Sequence, residues 1–139
     1  MVRRALVLAW GIGLAAGIAA AGHDEKHESV RSLAVREIDE KLDGKETSAT
    51  AVEVTFEPGQ AGASHRHPGP AFGYVLEGEY EWAIDDQPAK ILKAGETFYE
   101  PGGCLHRVTR NPGLVRTRVL AWVLHPRDAK DLVIPEPKK

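Results

Sequence analysis

The chain has 139 residues, with 18 basic and 20 acidic side chains, so its formal net charge is −2 at pH 7. This balance leaves no basic stripe for a phosphate backbone, which argues against a nucleic-acid partner. The single cysteine excludes an intramolecular disulfide, and the length suits one domain that buries its own core.

Residues 1–21 are typical of a secretory signal peptide. Arg3 and Arg4 precede an uncharged apolar run that ends in three alanines at Ala21, the small-residue pattern at which signal peptides are cleaved. A retained N-terminal membrane anchor is the alternative, since about 17 apolar residues reach the short end of spanning length. We therefore expect an exported protein, periplasmic or extracellular, without a stable membrane span after cleavage. The arginine pair also fits the twin-arginine export route.

Cleavage would leave one folded region between two charged segments. Residues 22–30 are predicted to form a charged flexible linker, residues 31–126 the folded domain, and residues 127–139 a charged C-terminal tail. Within the tail, residues 127–132 are expected to form a short helix. The mature protein would retain 16 basic residues against 20 acidic ones, because only two arginines are removed.

From Val30 onward the sequence indicates short strands separated by Gly and Pro turns, with no helical period sustained over three turns. The predicted strands are 52–56, 72–77, 79–84, 89–93, 97–100, 105–110 and 116–124. Gly78 is expected to join the second and third of these as a hairpin. Short strands at regular spacing predict an all-β sandwich or barrel.

Three of the six histidines fall in two motifs with fixed glycine spacing. Gly59 is followed after five residues by a His-X-His pair, His65 and His67, and a strand presents both imidazoles on one face because its side chains alternate. His106 follows a Pro-Gly-Gly turn about forty residues later. Because three imidazoles can hold a transition metal, the sequence predicts a metal site at these histidines.

The two motifs resemble those of the cupin superfamily, a small jelly-roll β-barrel. The first family motif reads Gly, five residues, His-X-His, three or four residues, Glu, six residues and Gly, and Gly78 closes it here. The second reads Gly, five residues, Pro-X-Gly, two residues, His, three residues and Asn, with Arg110 in the Asn place and Asn111 one residue later. Its other positions match at every offset: Gly95, Pro101, Gly103 and His106. The resemblance covers residues 31–126 and implies a single-domain cupin β-barrel similar to the small quercetin-dioxygenase-like cupins.

The metal-binding glutamate of the first family motif is replaced. Its place falls on Ala71 with the three-residue spacing or on Phe72 with the four-residue spacing, and neither side chain binds a metal. Three neutral imidazoles would leave a divalent ion its full charge and attract an anionic ligand. If residue 71 points inward, Gly73 shares its face, and the two small residues would leave space for a substrate beside the metal.

Five further side chains are considered for their positions on the predicted strands and turns. Tyr80 and Trp82 share a strand face with Ile84, where they form either an apolar pocket or ordinary core. Cys104 is either a fourth ligand or reactive neighbour, or a buried structural thiol. His125, at a strand end, is predicted to lie at the surface.

The resemblance implies a mononuclear metal enzyme that acts on a small organic substrate by dioxygenase-like chemistry. Fe(II) is the expected divalent metal, with Zn, Mn, Ni and Cu as alternatives. A non-redox isomerase or lyase is the second enzyme class, for which Glu77, Glu79 and Tyr99 are base candidates only by proximity in sequence. Outside enzymes, a non-catalytic periplasmic protein that binds a metal or ligand is favoured by Ala71. The sequence assigns no catalytic residue.

The strand predicted at 116–124 is apolar on both faces, and such a strand must be covered on both sides. We expect a homodimer with two-fold symmetry, with Trp122 at or near the contact, because interfaces are enriched in aromatic residues. The alternative is that Trp122 packs under the N-terminal strands near Leu33 and Val35 of the same chain.

Overall fold

The computed structural model describes residues 28–137. The predicted signal peptide, residues 22–27 of the predicted linker and the last two residues lie outside this part of the chain. Regular structure within it is entirely β. Among the described residues there is no helix with the length and apolar character needed to span a membrane.

The described residues form two five-stranded antiparallel sheets, with strand orders β1-β2-β9-β4-β7 and β10-β3-β8-β5-β6. The strands are β1 (Ser29–Leu42), β2 (Lys45–Phe56), β3 (His65–Arg66), β4 (Ala71–Glu77), β5 (Glu79–Ile84), β6 (Lys90–Lys93), β7 (Thr97–Glu100), β8 (His106–Arg110), β9 (Thr117–Pro126) and β10 (Ile134–Pro135).

The core lies between the two sheets and follows from side-chain alternation. On β4, Ala71, Gly73 and Val75 are buried while the residues between them are exposed, because neighbouring side chains point to opposite faces of a sheet. The apolar residues that meet in the core come from both sheets: Phe56, Val75, Tyr80, Trp82, Ile84 and Val119. The all-β, single-domain barrel predicted from the sequence is confirmed.

The predicted hairpin around Gly78 is wrong, because β4 and β5 belong to different sheets. β4 pairs with β7 and β9, and β5 pairs with β6 and β8. Gly78 has a φ of 78°, and a Cβ atom there would lie 2.6 Å from the carbonyl oxygen of Arg116. Glycine is therefore required where the chain crosses between the sheets.

The helix predicted at residues 127–132 is also absent, since this segment is irregular and leads into β10. β10 pairs with β3, Ile134 lying opposite Arg66. Arg66 also forms a 3.1 Å ion pair with Glu136. The C-terminal segment thus returns to the His-X-His strand, and these tertiary contacts outweigh any local helical preference.

Candidate metal centre

The fold brings the three predicted histidines together. His65 on β3 lies directly opposite His106 on β8, and His67 follows β3 immediately. One ring nitrogen from each histidine can be chosen so that all three lie within 4.8 Å of one another. His65 and His106 are far apart in the sequence but come together because β3 and β8 are neighbouring strands of one sheet.

Backbone carbonyls hold two of the rings in a defined tautomer. Nδ1 of His65 donates to the carbonyl of Ala63 at 2.8 Å, and Nδ1 of His67 donates to that of Leu132 at 2.6 Å. A neutral imidazole protonated on Nδ1 has its lone pair on Nε2. The two Nε2 atoms face each other at 3.2 Å, so their lone pairs repel unless a cation lies between them. Burial lowers the pKa of His67, which disfavours a proton as that cation. The arrangement fits a metal ion.

The third ring, that of His106, is also kept neutral. It is buried, and desolvation, followed by the nearby His65 and His67, lowers its pKa to about 3. The Tyr80 hydroxyl lies 3.2 Å from its Nε2 and 2.8 Å from the hydroxyl oxygen of Thr109. Nδ1 of His106 is buried without a hydrogen-bond partner, which leaves this ring free to contribute a lone pair to a metal.

Glu100, which was not among the sequence candidates, completes the cluster. It ends β7 with only 1% of its surface exposed. Its Oε1 accepts a 2.9 Å hydrogen bond from Nε1 of Trp82 and lies 3.1 Å from Nδ1 of His106. Its Oε2 lies 3.5 Å from Nε2 of His67 and has no hydrogen-bond partner. Burial raises the pKa of Glu100 to about 7, against the opposing effect of the Trp82 hydrogen bond. A buried carboxylate therefore lies beside the three imidazoles, which the sequence analysis did not anticipate.

One sequence signal could have revealed Glu100. In the strand predicted at 97–100, alternation places Phe98 and Glu100 on the same face. A carboxylate on the apolar face of a strand is rarely buried without a partner or a metal. The family offset pointed instead to Ala71, which lies directly opposite Glu100 in the pairing of β4 with β7.

The other candidates near the site have different roles. Ala71 and Tyr80 are buried, and both line a cavity between the two sheets that contains the histidine cluster. Gly73 does not open space for a substrate, because the ring of Phe98 occupies the volume that a Cβ atom would take. Trp82 is part of the core and reaches the site through its hydrogen bond to Glu100.

Cys104 and the three base candidates do not line the cavity. The half-buried Cys104 packs against the core, and burial, with Glu100 and Asp85 close by, raises its thiol pKa to about 11. Glu77 forms an ion pair with Arg116 at 3.4 Å, while Tyr99 is 50% exposed. The carboxylate of the third base candidate, Glu79, lies beside Gly113 in the loop before β9.

His125 is not at the surface, contrary to expectation. It is 7% exposed, and its Nε2 lies 2.9 Å from the hydroxyl oxygen of Thr50. Strand alternation places His125 on the same buried face of β9 as Val119 and Val123.

The histidine cluster opens into a cavity of about 180 Å³ between the two sheets. Apart from the cluster, its walls are mainly apolar and include Val54, Ala71, Ala121, Val123, Leu132 and Val133. An apolar cavity of roughly 150 Å³ takes up a molecule the size of benzene. The space beside the histidines is therefore large enough for a small organic molecule.

The family model of the cupin domain matches residues 52–123. This chain therefore belongs to the cupin superfamily, as its motifs indicated. Cupins bind divalent metals, and the histidine cluster of this chain provides a site of that kind. A comparison with curated proteins found no match in sequence.

Solved structures share the fold. A conserved protein from Klebsiella pneumoniae with a double-stranded β-helix domain has a TM-score of 0.58 and 22% identity, covering 79% of this chain and 86% of that one. The DMSP lyase DddQ of Ruegeria pomeroyi has a TM-score of 0.60 and 22% identity, covering 81% of this chain and 54% of its own. A recombinant oxalate oxidase in complex with glycolate has a TM-score of 0.53 and 24% identity, covering 73% of this chain and 52% of that one. At these identities the likeness concerns the fold alone.

Proposed function

We propose that this chain is a mononuclear metal enzyme whose centre at His65, His67 and His106 acts on a small organic molecule by dioxygenase-like chemistry. The observation that carries the proposal is the pair of Nε2 lone pairs facing each other at 3.2 Å, at the end of an apolar cavity. Fe(II) is the metal we propose, with Zn, Mn, Ni and Cu as alternatives. When bound, it would supply Lewis acidity and redox chemistry at the substrate.

The protein itself would position the imidazoles and exclude water from the cavity. The carbonyls of Ala63 and Leu132 fix two imidazoles with their Nε2 atoms directed at one point. The apolar walls keep water away from a bound molecule, which strengthens electrostatic interactions inside the cavity. A substrate that fits would be mainly apolar, with one polar group directed at the histidine end.

A non-redox isomerase or lyase is the second candidate, and Glu100 favours it. Its Oε2 is buried and accepts no hydrogen bond, so it is placed to take a proton from a molecule in the cavity as a general base. In that function the metal would polarise the substrate while Oε2 of Glu100 accepts a proton from it.

Metal analysis of the purified protein, combined with oxygen uptake over a panel of phenols and thiols, tests the proposal. We expect one redox-active metal per chain and uptake with at least one compound, and we expect His67→Ala to lose both. Full occupancy by zinc with no uptake would instead favour the non-redox class, or a protein that binds its ligand without turnover. A chain that binds no divalent metal would contradict both enzyme classes.

We also propose that the protein is exported, because residues 1–21 have the charge and hydropathy pattern of a signal peptide. Amino-terminal sequencing of the protein recovered from the periplasm or the medium tests this. A sequence that starts near Gly22 is expected, whereas a retained N terminus would favour the membrane anchor.

A further inference from the structure

We infer that Glu100 is the fourth metal ligand of this centre, a carboxylate supplied by β7 in place of the glutamate that the family motif carries on β4. The inference rests on the proposed metal site. Glu100 would then be a metal ligand although it lies outside both histidine motifs of the sequence.

The pairing of β4 with β7 explains how a ligand can change strand. Ala71 and Glu100 are direct partners across this pair, and partners in an antiparallel pair project from the same face with Cβ atoms about 4.5–5.5 Å apart. A carboxylate at position 100 can therefore enter the space that a carboxylate at position 71 would occupy. Both residues line the cavity at the histidine cluster.

The surroundings of Glu100 give its carboxylate no other partner of opposite charge. Among the described residues that line the cavity there is no Arg or Lys. A buried carboxylate is costly unless it is paired or coordinates a metal. Trp82 satisfies Oε1, whereas Oε2 has no hydrogen-bond partner and lies 3.5 Å from Nε2 of His67.

His106 provides independent support, because its Nδ1 is also buried without a hydrogen-bond partner although Oε1 of Glu100 lies 3.1 Å away. One cation among these groups would satisfy the nitrogen and the carboxylate together. The charge at a divalent centre then falls from +2 to +1, so the site should prefer neutral or singly charged organic ligands over small anions. Ala71, which no longer carries the ligand, leaves room for such a molecule on the β4 side.

The experiment is a Co²⁺ titration of metal-free protein by calorimetry and visible absorption, with Glu100→Ala, Glu100→Gln and the surface control Glu77→Ala. We expect both Glu100 variants to bind Co²⁺ at least about 10-fold more weakly and with an altered Co²⁺ spectrum. The control should match the wild type. Glu100→Gln retains the size of the side chain and an acceptor for Trp82, so it addresses the case in which Glu100→Ala fails to fold.

The double variant Ala71→Glu/Glu100→Ala sharpens the test. If the carboxylate acts as a ligand, returning it to the opposite strand should recover at least part of the lost Co²⁺ affinity. Glu100 variants that bind Co²⁺ within about twofold of the wild type with an unchanged spectrum would overturn the inference and leave Glu100 as a base. Failure of the wild type to bind Co²⁺ would instead overturn the proposed metal centre itself.

Discussion

Each histidine of the centre is oriented by a group outside the cluster. Carbonyl oxygens of Ala63 and Leu132 accept from two of the rings, and the hydroxyl of Tyr80 contacts the third. Such contacts select the tautomer that presents a lone pair and hold the ring in place. Metal affinity should therefore depend on residues that never touch the metal.

Tyr80→Phe tests this dependence for His106. Removing the hydroxyl leaves the buried ring but deletes the 3.2 Å contact with Nε2 of His106, and we expect divalent metal to bind about 10-fold more weakly. Isothermal titration of the metal-free protein measures the effect. Tyr99→Phe is the matched control, because Tyr99 is half exposed and lies outside the cavity. Equal losses in both variants, or none in Tyr80→Phe, would contradict the role assigned to this hydroxyl.

Single residues also show what the sequence could and could not predict. The three histidines were predictable because motif spacing specifies them. Alternation places Glu100 on the apolar face of its strand, but only the pairing of β4 with β7 shows that it lies opposite Ala71. Asn111, one residue past the family position, is fully buried, and its side-chain amide donates to the carbonyls of Phe56 and Val115. Although it is displaced by one residue, this asparagine holds together the segments that contain Phe56 and Val115.

At the scale of elements, alternation predicted most strands within a few residues but not how they are arranged. Strands 72–77 and 79–84 were located correctly, yet they belong to different sheets. The pairing of β4 with β9 joins residues far apart in the chain, and such contacts leave no trace in a local hydrophobic period. The segment before β10 is irregular for the same reason, since it makes long-range contacts such as those of Arg127 with Glu46 and of Leu132 with His67.

The C-terminal segment is an element whose removal should affect the metal site. Deleting residues 132–139 removes the carbonyl that accepts from His67 and the two side chains, Leu132 and Val133, that line the cavity. We expect metal affinity to fall about 10-fold while the two sheets remain folded. Metal titration together with circular dichroism measures both properties.

A deletion of residues 138–139 alone provides the control for that experiment, because it leaves β10 and its pairing with β3 intact. It should bind metal as the full chain does. If the longer deletion also binds metal normally, the carbonyl of Leu132 does not determine the orientation of His67.

At the scale of the whole molecule, the outer face of the β1-β2-β9-β4-β7 sheet carries a band of exposed apolar side chains on its last three strands. These residues are Phe72, Tyr74, Leu76, Tyr99 and Trp122. Trp122 is 39% exposed, so part of its ring is available for a contact with another chain. Contiguous exposed apolar surface of this kind often marks an interface between protein chains.

We therefore retain the prediction of a homodimer through this face. Sedimentation at micromolar concentration should give twice the mass of one mature chain, and Trp122→Glu should shift the population to monomer, because a charge would be buried in the contact. Leu114→Ala is the control, since Leu114 is 95% exposed and lies in the loop between β8 and β9 rather than on a strand of this face. A wild-type monomer under these conditions would rule the dimer out.

Residues near both ends of the described chain line the cavity, and this affects when the site can form during biosynthesis. Glu28 and Val30 line the cavity from one end of the described chain, and Leu132 and Val133 line it from the other. Domains begin to fold from their N-terminal side while they are still being synthesised. His67 gains its carbonyl partner only after residue 132 has left the ribosome. The proposed metal centre would therefore gain its oriented His67 ring only after this C-terminal segment has been synthesised.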